Sequence, residues 1–232
     1  MKHANKNIIL IILALFMACG ITACKKNGYL TDGGVNKAYT SFSTYDYLKN
    51  NQYHQFDTVL MLIDHYQLKG TVNSAKTFFA FTDMSVNALM KAIKVRTVDS
   101  DGDTVLSAMT SLNQLTDSVS AKLFTQYMFN KAITLDDATL NSVLYTNEVG
   151  SAAPSAIKKL STGVPVYLTN SAPTFTYFTL EYVKVNGVID GSPGAPANDP
   201  IDLILQCQTT GIQTSSGTTL HVLTNNAALN KL

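Results

Sequence analysis

Chemistry in a folded chain needs a nucleophile beside a base, paired carboxylates or a cluster of metal ligands. The side chains able to supply them are few here. The four histidines stand at positions 3, 54, 65 and 221. His54 and His65 are eleven residues apart, roughly 16 Å along one continuous helix, too far to share a metal unless the helix breaks between them. Asp99, Asp101 and Asp103 are spaced like the start of a calcium loop, but the glycine falls at the fourth place instead of the sixth. Thr110 stands where an EF-hand needs its bidentate Glu, so a solvated Asp-Gly turn is the better reading. Asp136-Asp137, just after Thr134, reads as a helix start or turn and not as half of a hydrolytic pair. Cys207 sits in the apolar run 201–207 with nothing electropositive near it, which makes it a small buried hydrophobe and not a nucleophile. Gly-x-Ser-x-Gly, His-Glu-x-x-His, Cys-x-x-Cys and the phosphate-binding glycine patterns are absent. The expectation is no catalytic residue, no cofactor and no metal site, with a hydrolase as the minor alternative.

The elements that would position these residues belong to a chain of 232 residues, 46% apolar and 14% charged, which excludes disorder and disulfide-dependent miniature scaffolds. With 17 basic and 16 acidic side chains there is no field to attract nucleic acid. Ser43 or Thr44 can cap a short helix carrying Tyr45 and Leu48, and Phe56, Val59, Leu60 and Ile63 recur at helical spacing behind Asp57. Residues 77–81 are strand-like, and Thr82 or Asp83 then caps a helix carrying Val86, Leu89, Met90 and Ile93. Residues 115–129 have mixed helical spacing. Strands are expected over 164–169, 174–184, 201–208 and 219–224, separated by turn chemistry such as Asn186-Gly187 and Ser216-Gly217. The stretch 191–200 reads as a mobile loop between two of them. Helices lead and strands follow, so the fold class is α+β, with a single core that includes Phe79, Phe81, Leu89, Ile212 and Val222.

At the N-terminus, Lys2 and Lys6 precede the apolar run 8–18, with the charge and length of a secretory signal. The following Ile21-Thr22-Ala23-Cys24 resembles the lipobox of bacterial lipoproteins. That resemblance implies a signal peptide over 1–23 and acylation of Cys24, and multiple acyl chains hold a protein stably in a lipid bilayer. Loss of Lys2 and Lys6 from the 17 basic residues leaves 15 against 16 acidic, formally −1. Residues 24–40 carry three glycines and no apolar period and read as a flexible tether. Lys25 and Lys26 supply no acidic export signal, so either face of the outer membrane is compatible with the sequence.

Two further stretches carry a resemblance. Thr77-Phe-Phe-Ala-Phe-Thr-Asp-Met-Ser-Val-Asn-Ala-Leu89 is similar to the first signature of the fasciclin domain, where a strand ends in a Thr-Asp cap and launches a helix. Thr210-Gly-Ile-Gln-Thr-Ser-Ser-Gly-Thr-Thr-Leu-His-Val-Leu223 resembles the closing signature, a glycine turn leading into an apolar-His-apolar strand. The resemblance implies one fasciclin-like domain over residues 41–225, a partly closed β-structure flanked by helices, with a tail at 226–232. It implies adhesion or binding. Where the family usually has Tyr-His, Tyr127 is followed by Met128, and integrin binding is not carried over.

Lipoproteins of this type resemble those that Bacteroidota place on the outer membrane beside carbohydrate-uptake systems. A polysaccharide or an outer-membrane protein is therefore the expected partner, nucleic acid is not, and a structural subunit of an uptake complex is the alternative. The candidate binding residues are Tyr127, His221 and Tyr167. Tyr177 and Tyr182 also fall in the strand-rich half, but five steps apart on one strand they face opposite sides. His221 should face opposite to Leu220 and Val222.

Overall fold

The computed structural model describes residues 39–165 and 174–229. Among them are six α-helices, and each of the better-defined ones has a local cause. In α1, Thr44–Lys49, the Ser43 side chain accepts the Asp46 N–H, Asp46 and Lys49 sit at the ends the helix dipole favours, and Tyr45 and Leu48 are buried. In α2, Asp57–His65, Val59, Leu62 and Ile63 form the buried stripe. The short α3, Lys69–Ser74, buries Val72.

Strand β1, Thr77–Ala80, is buried along its whole length and leads through Thr82 into α4, Asp83–Ala92. Thr82 has the extended backbone of an N-cap, but its hydroxyl makes no capping bond. Asp83 instead reaches across to accept the Val59 N–H of α2 at 3.0 Å, so one first-turn carboxylate ties two helix starts together. Helix α5, Leu112–Ser118, opens with a complete capping box between Ser111 and Gln114, and α6, Lys122–Thr125, follows.

The remaining strands are β2 Lys94–Val98, β3 Thr104–Ala108, β4 Met128–Phe129, β5 Val143–Tyr145, β6 Ser155–Pro165, β7 Thr174–Lys184, β8 Leu203–Gln213 and β9 Thr219–Leu223. Seven of the nine strands form one sheet in the order β4-β1-β9-β8-β7-β6-β5. The β1–β9 pair is parallel and its other pairings are antiparallel. Its two edges nearly meet. Phe129 of β4 bridges to Asn147 just past β5, and the Glu148 N–H donates to the Met128 carbonyl at 2.9 Å. Near-closure satisfies edge groups that would otherwise be open to pairing with other chains. The protein is thus α+β, one nearly closed sheet with helices packed on it.

Phe79, Phe81, Leu89, Ile212 and Val222 all lie in a single buried cluster. Tyr39 bridges to Gln213, and the core continues beyond residue 225, since Ala227 and Leu229 are buried in the same cluster.

Strand β6 and the segment 94–108 differ from the sequence expectation. Strand β6 begins at Ser155, nine residues before 164, and its start is disguised by Lys158-Lys159. Lys158 is tolerated because its register partner on β7 is Glu181, and their charged groups meet at 3.1 Å. Residues 94–108 form a separate two-stranded ribbon, β2–β3, turned by Asp99, whose Oδ1 accepts the N–H groups of Asp101 and Asp103.

The two ends of the stretch 191–200 are tied together by carboxylates. Buried Asp202 accepts the N–H groups of Asn186 and Asp190, Asp190 accepts that of Asp202, and Asp199 accepts that of Val188.

Candidate functional site

His221 lies on β9, which is flanked by β1 and β8 and covered on both faces, so all five of its residues are buried. Strand alternation still turns His221 away from Leu220 and Val222, but both sides lead into the core. Its imidazole is 0% exposed and stacks on Phe79, its register partner on β1, at 4.7 Å between ring centroids.

Both ring nitrogens are engaged. The Gly211 N–H can only donate, so Nδ1 accepts it at 3.1 Å, and the Ile133 carbonyl can only accept, so Nε2–H donates to it at 2.9 Å. These partners fix a neutral Nε2–H tautomer. Burial, opposed by the Ile133 hydrogen bond, pushes the pKa down to about 4. Gly211 can aim its N–H this way because it sits at an irregularity of the β8–β9 ladder with φ +81°. The Ile133 N–H donates to Thr77 Oγ1, which donates to the Lys131 carbonyl. His221 and Thr77 therefore hold residues 131–133 against the sheet, and His221 has no nitrogen left for a ligand.

Tyr127 is 1% exposed, with its ring 5.5 Å from that of Phe81 and 4.8 Å from that of Tyr182. Burial holds its hydroxyl pKa far above the ordinary value. The expectation that Tyr127 and His221 contact a ligand is therefore corrected: both are core residues, His221 because β9 is an inner strand covered on both faces, and Tyr127 because its ring turns inward from the residue before β4 onto Phe81 and Tyr182. Tyr167 and Cys24 lie outside the described residues.

On β7, Tyr177 is half-exposed and Tyr182 fully buried, as their odd separation requires. Tyr182 belongs to an internal chain of hydrogen bonds. Asn147 Nδ2 donates to Ser155 Oγ at 2.8 Å, Ser155 meets the Tyr182 hydroxyl at 2.7 Å, and that hydroxyl donates to the Gln126 carbonyl at 3.3 Å. It closes the interior where β6 and β7 face the segment before β4.

The other reactive side chains are also committed. Cys207 is buried, and its thiol pKa is raised by burial and by Glu181. Asp137 caps the Thr134 turn, accepting from its hydroxyl and N–H, and those bonds hold the carboxyl below the usual range. Helix α2 starts at Asp57, so His54 lies outside the helix that ends in His65. His54 pairs with Asp57 at 3.2 Å, both exposed, a screened contact of small energetic weight. Among the described residues no three His, Cys, Asp or Glu side chains are grouped to hold a metal.

Among the described residues, a concavity of about 320 Å³ opens to solvent at residues 40–53. It is built from the break after α1. Asn50 closes the helix, its N–H and Nδ2 both donating to the Asp46 carbonyl. Asn51 Oδ1 accepts the N–H groups of Tyr53 and Gln55, and the Asn51 carbonyl accepts that of His54, whose φ of +50° is rare outside glycine. The loop is thus set by its own amides, and it presents Tyr53 72% exposed. The facing wall is Thr40 and Phe42 with Tyr47 of α1. Pairing of the Thr40 N–H with the Gln213 carbonyl, and of the Ser215 N–H with the Phe42 carbonyl, fixes that wall to the sheet.

None of the seven lining residues is charged. Among the described residues, Asn50 Oδ1, Asn51 Nδ2, the Gln52 amide and the Tyr47 and Tyr53 hydroxyls make no hydrogen bond. Sequence reasoning sought ligand-binding aromatics in the strand-rich half and missed this site. Its only sequence signal is the run Asn50-Asn51-Gln52-Tyr53 in a polar break. A second concavity, of about 390 Å³, lies between α2 and α4 and is walled by Met61, Met84, Met90 and Leu112. The chain matches no family model and no curated protein.

Proposed function

We propose that this protein is a lipid-anchored module of the bacterial outer membrane, fasciclin-like in architecture, that binds an envelope glycan or a partner protein without turning it over. The observation that carries this reading is the concavity at residues 40–53. It combines exposed aromatic surface with unpaired amides and hydroxyls, which suits a ligand held by stacking and hydrogen bonds. It contains no carboxylate, imidazole or thiol that could act as acid, base or nucleophile. The commitment of His221, Cys207 and Asp137 to internal contacts favours the same reading. Anchoring rests on the lipobox-like Ile21 to Cys24.

A glycan array and a pull-down with the form beginning at Lys25, followed by product analysis of each captured ligand, test the proposal. Stoichiometric capture with unchanged ligand supports it. Catalytic conversion points to the hydrolase alternative, and co-purification with an envelope complex in the absence of any captured ligand points to a structural subunit.

A further inference from the structure

We infer that the concavity between Tyr53 and Phe42 is a subsite for one ring of an uncharged saccharide, with Tyr53 as its stacking platform and Gln52, Asn50 and Asn51 as its hydroxyl readers. This rests on the binding-module reading and narrows its ligand class.

An apolar occupant fits poorly. Enclosing it would strip water from the open donors and acceptors of three amides without replacement, and each polar group left buried and unpaired is costly. An anionic or cationic occupant fits no better, because no lining residue carries a countercharge. A pyranose meets both demands: its axial C–H face is apolar, and its rim of hydroxyls donates and accepts. Tyr53 and Phe42 offer exposed ring surface for the first. For the second, Asn50 Oδ1 is an open acceptor, Asn51 Nδ2 an open donor and Gln52 open on both atoms.

The volume of about 320 Å³ is at the lower end of small-ligand sites, enough for one ring and its water shell but not for a buried chain. The site therefore grips one unit of a polymer that continues into solvent.

Pre-organisation is the second support. Asn51 spends its carbonyl groups on the loop's own N–H groups, and His54 is held at positive φ, a conformation that costs free energy and persists only where the surroundings impose it. A loop fixed before binding loses less entropy when the ligand arrives.

The test is affinity electrophoresis and titration calorimetry of the full chain, extracted in detergent, against neutral polysaccharides (α-glucan, β-glucan, xylan and mannan), with heparin as a polyanionic comparator. We expect at least one neutral polymer to retard the protein in a manner insensitive to salt. Tyr53→Ala should weaken that binding by about tenfold or more, and Tyr53→Phe by about twofold at most. Gln52→Ala should weaken it by several-fold. Tyr53 and Gln52 are both exposed, so unchanged thermal unfolding of the variants serves as the folding control. Neutral-polymer binding undiminished in Tyr53→Ala would overturn the subsite while leaving the binding module standing. Binding to heparin alone, or to none of the polymers, would also overturn it, and in the latter case a protein captured in the pull-down would preserve the module.

Discussion

Between about pH 7 and pH 4, acidification should destabilise this protein chiefly through His221. The unfolded chain titrates this imidazole near 6.5 and the folded one near 4, because burial disfavours the charged imidazolium; protonating Nδ1 would also set a second N–H against the Gly211 N–H. Between those values the unfolded state binds the proton and the folded state does not, so stability falls as pH falls. The contribution is intact above about pH 7 and is lost progressively from 6.5 down to about 4; below that, both states carry the proton and this group adds nothing more. A gap of about 2.5 pH units at 1.36 kcal/mol each amounts to about 3 kcal/mol, a large part of the stability of an ordinary domain.

The assay is urea unfolding followed by far-ultraviolet circular dichroism at intervals from pH 4.5 to 7.5, on the wild type and on His221→Gln. The variant should be less stable at pH 7.5 because its replacement bonds to Gly211 and Ile133 are imperfect. Its stability should also fall less steeply below pH 6, by about 1.4 kcal/mol per pH unit. Carboxylates such as Asp137 titrate in both proteins and cancel in the difference. Parallel pH dependences, or an imidazole resonance of His221 titrating near 6.5 in the folded protein, would show that His221 is not the group responsible.

Three further outcomes follow from particular contacts. Gly187→Ala should cost about 1–2 kcal/mol in thermal unfolding, since Gly187 has φ +83° and an added Cβ would collide with the Asp199 carboxylate; an unchanged melting temperature would mean that the loop is free to shift. Lys158→Ala should destabilise by about 2 kcal/mol by leaving the buried Glu181 without its ion pair, and Lys158→Met with Glu181→Leu should recover most of that loss in the same denaturation assay. Cys24→Ala should abolish fatty-acid labelling and processing, whereas Cys19, which follows Phe16-Met17-Ala18 within the expected signal peptide and fits the lipobox pattern less well, should be replaceable by Ala without altering either, as read by metabolic labelling and the mass of the mature chain.

Elements with local causes were legible in the sequence. Helices α1, α2 and α4 announce themselves by caps and apolar spacing, and β1, β7 and β9 by β-branched and aromatic runs. Strand β6 was obscured because its two lysines look like loop until Glu181 is brought opposite Lys158. The β2–β3 ribbon was missed because its residues alternate between exposed and half-buried and present no strong apolar run.

The site was harder to find. Signature-like residues drew attention to His221 and Tyr127, yet alternation along β9 cannot reveal that a second layer covers its other face. Nor can local spacing show that Thr40 and Phe42 are carried beside Tyr53, because they are fixed by Gln213 and Ser215, more than 170 residues away in the chain. The Asn50 to Tyr53 run is an ordinary helix break until those partners arrive.

If the protein binds without turnover, its ligand should keep its mass after prolonged contact. The full chain would be mixed with a hundredfold excess of whichever ligand it captures, and that ligand followed by mass spectrometry for a day. The bound fraction should level at one equivalent per chain, and the ligand mass should not change. Product accumulating beyond one equivalent, and ceasing in His54→Ala or Asp137→Asn, would contradict binding without turnover.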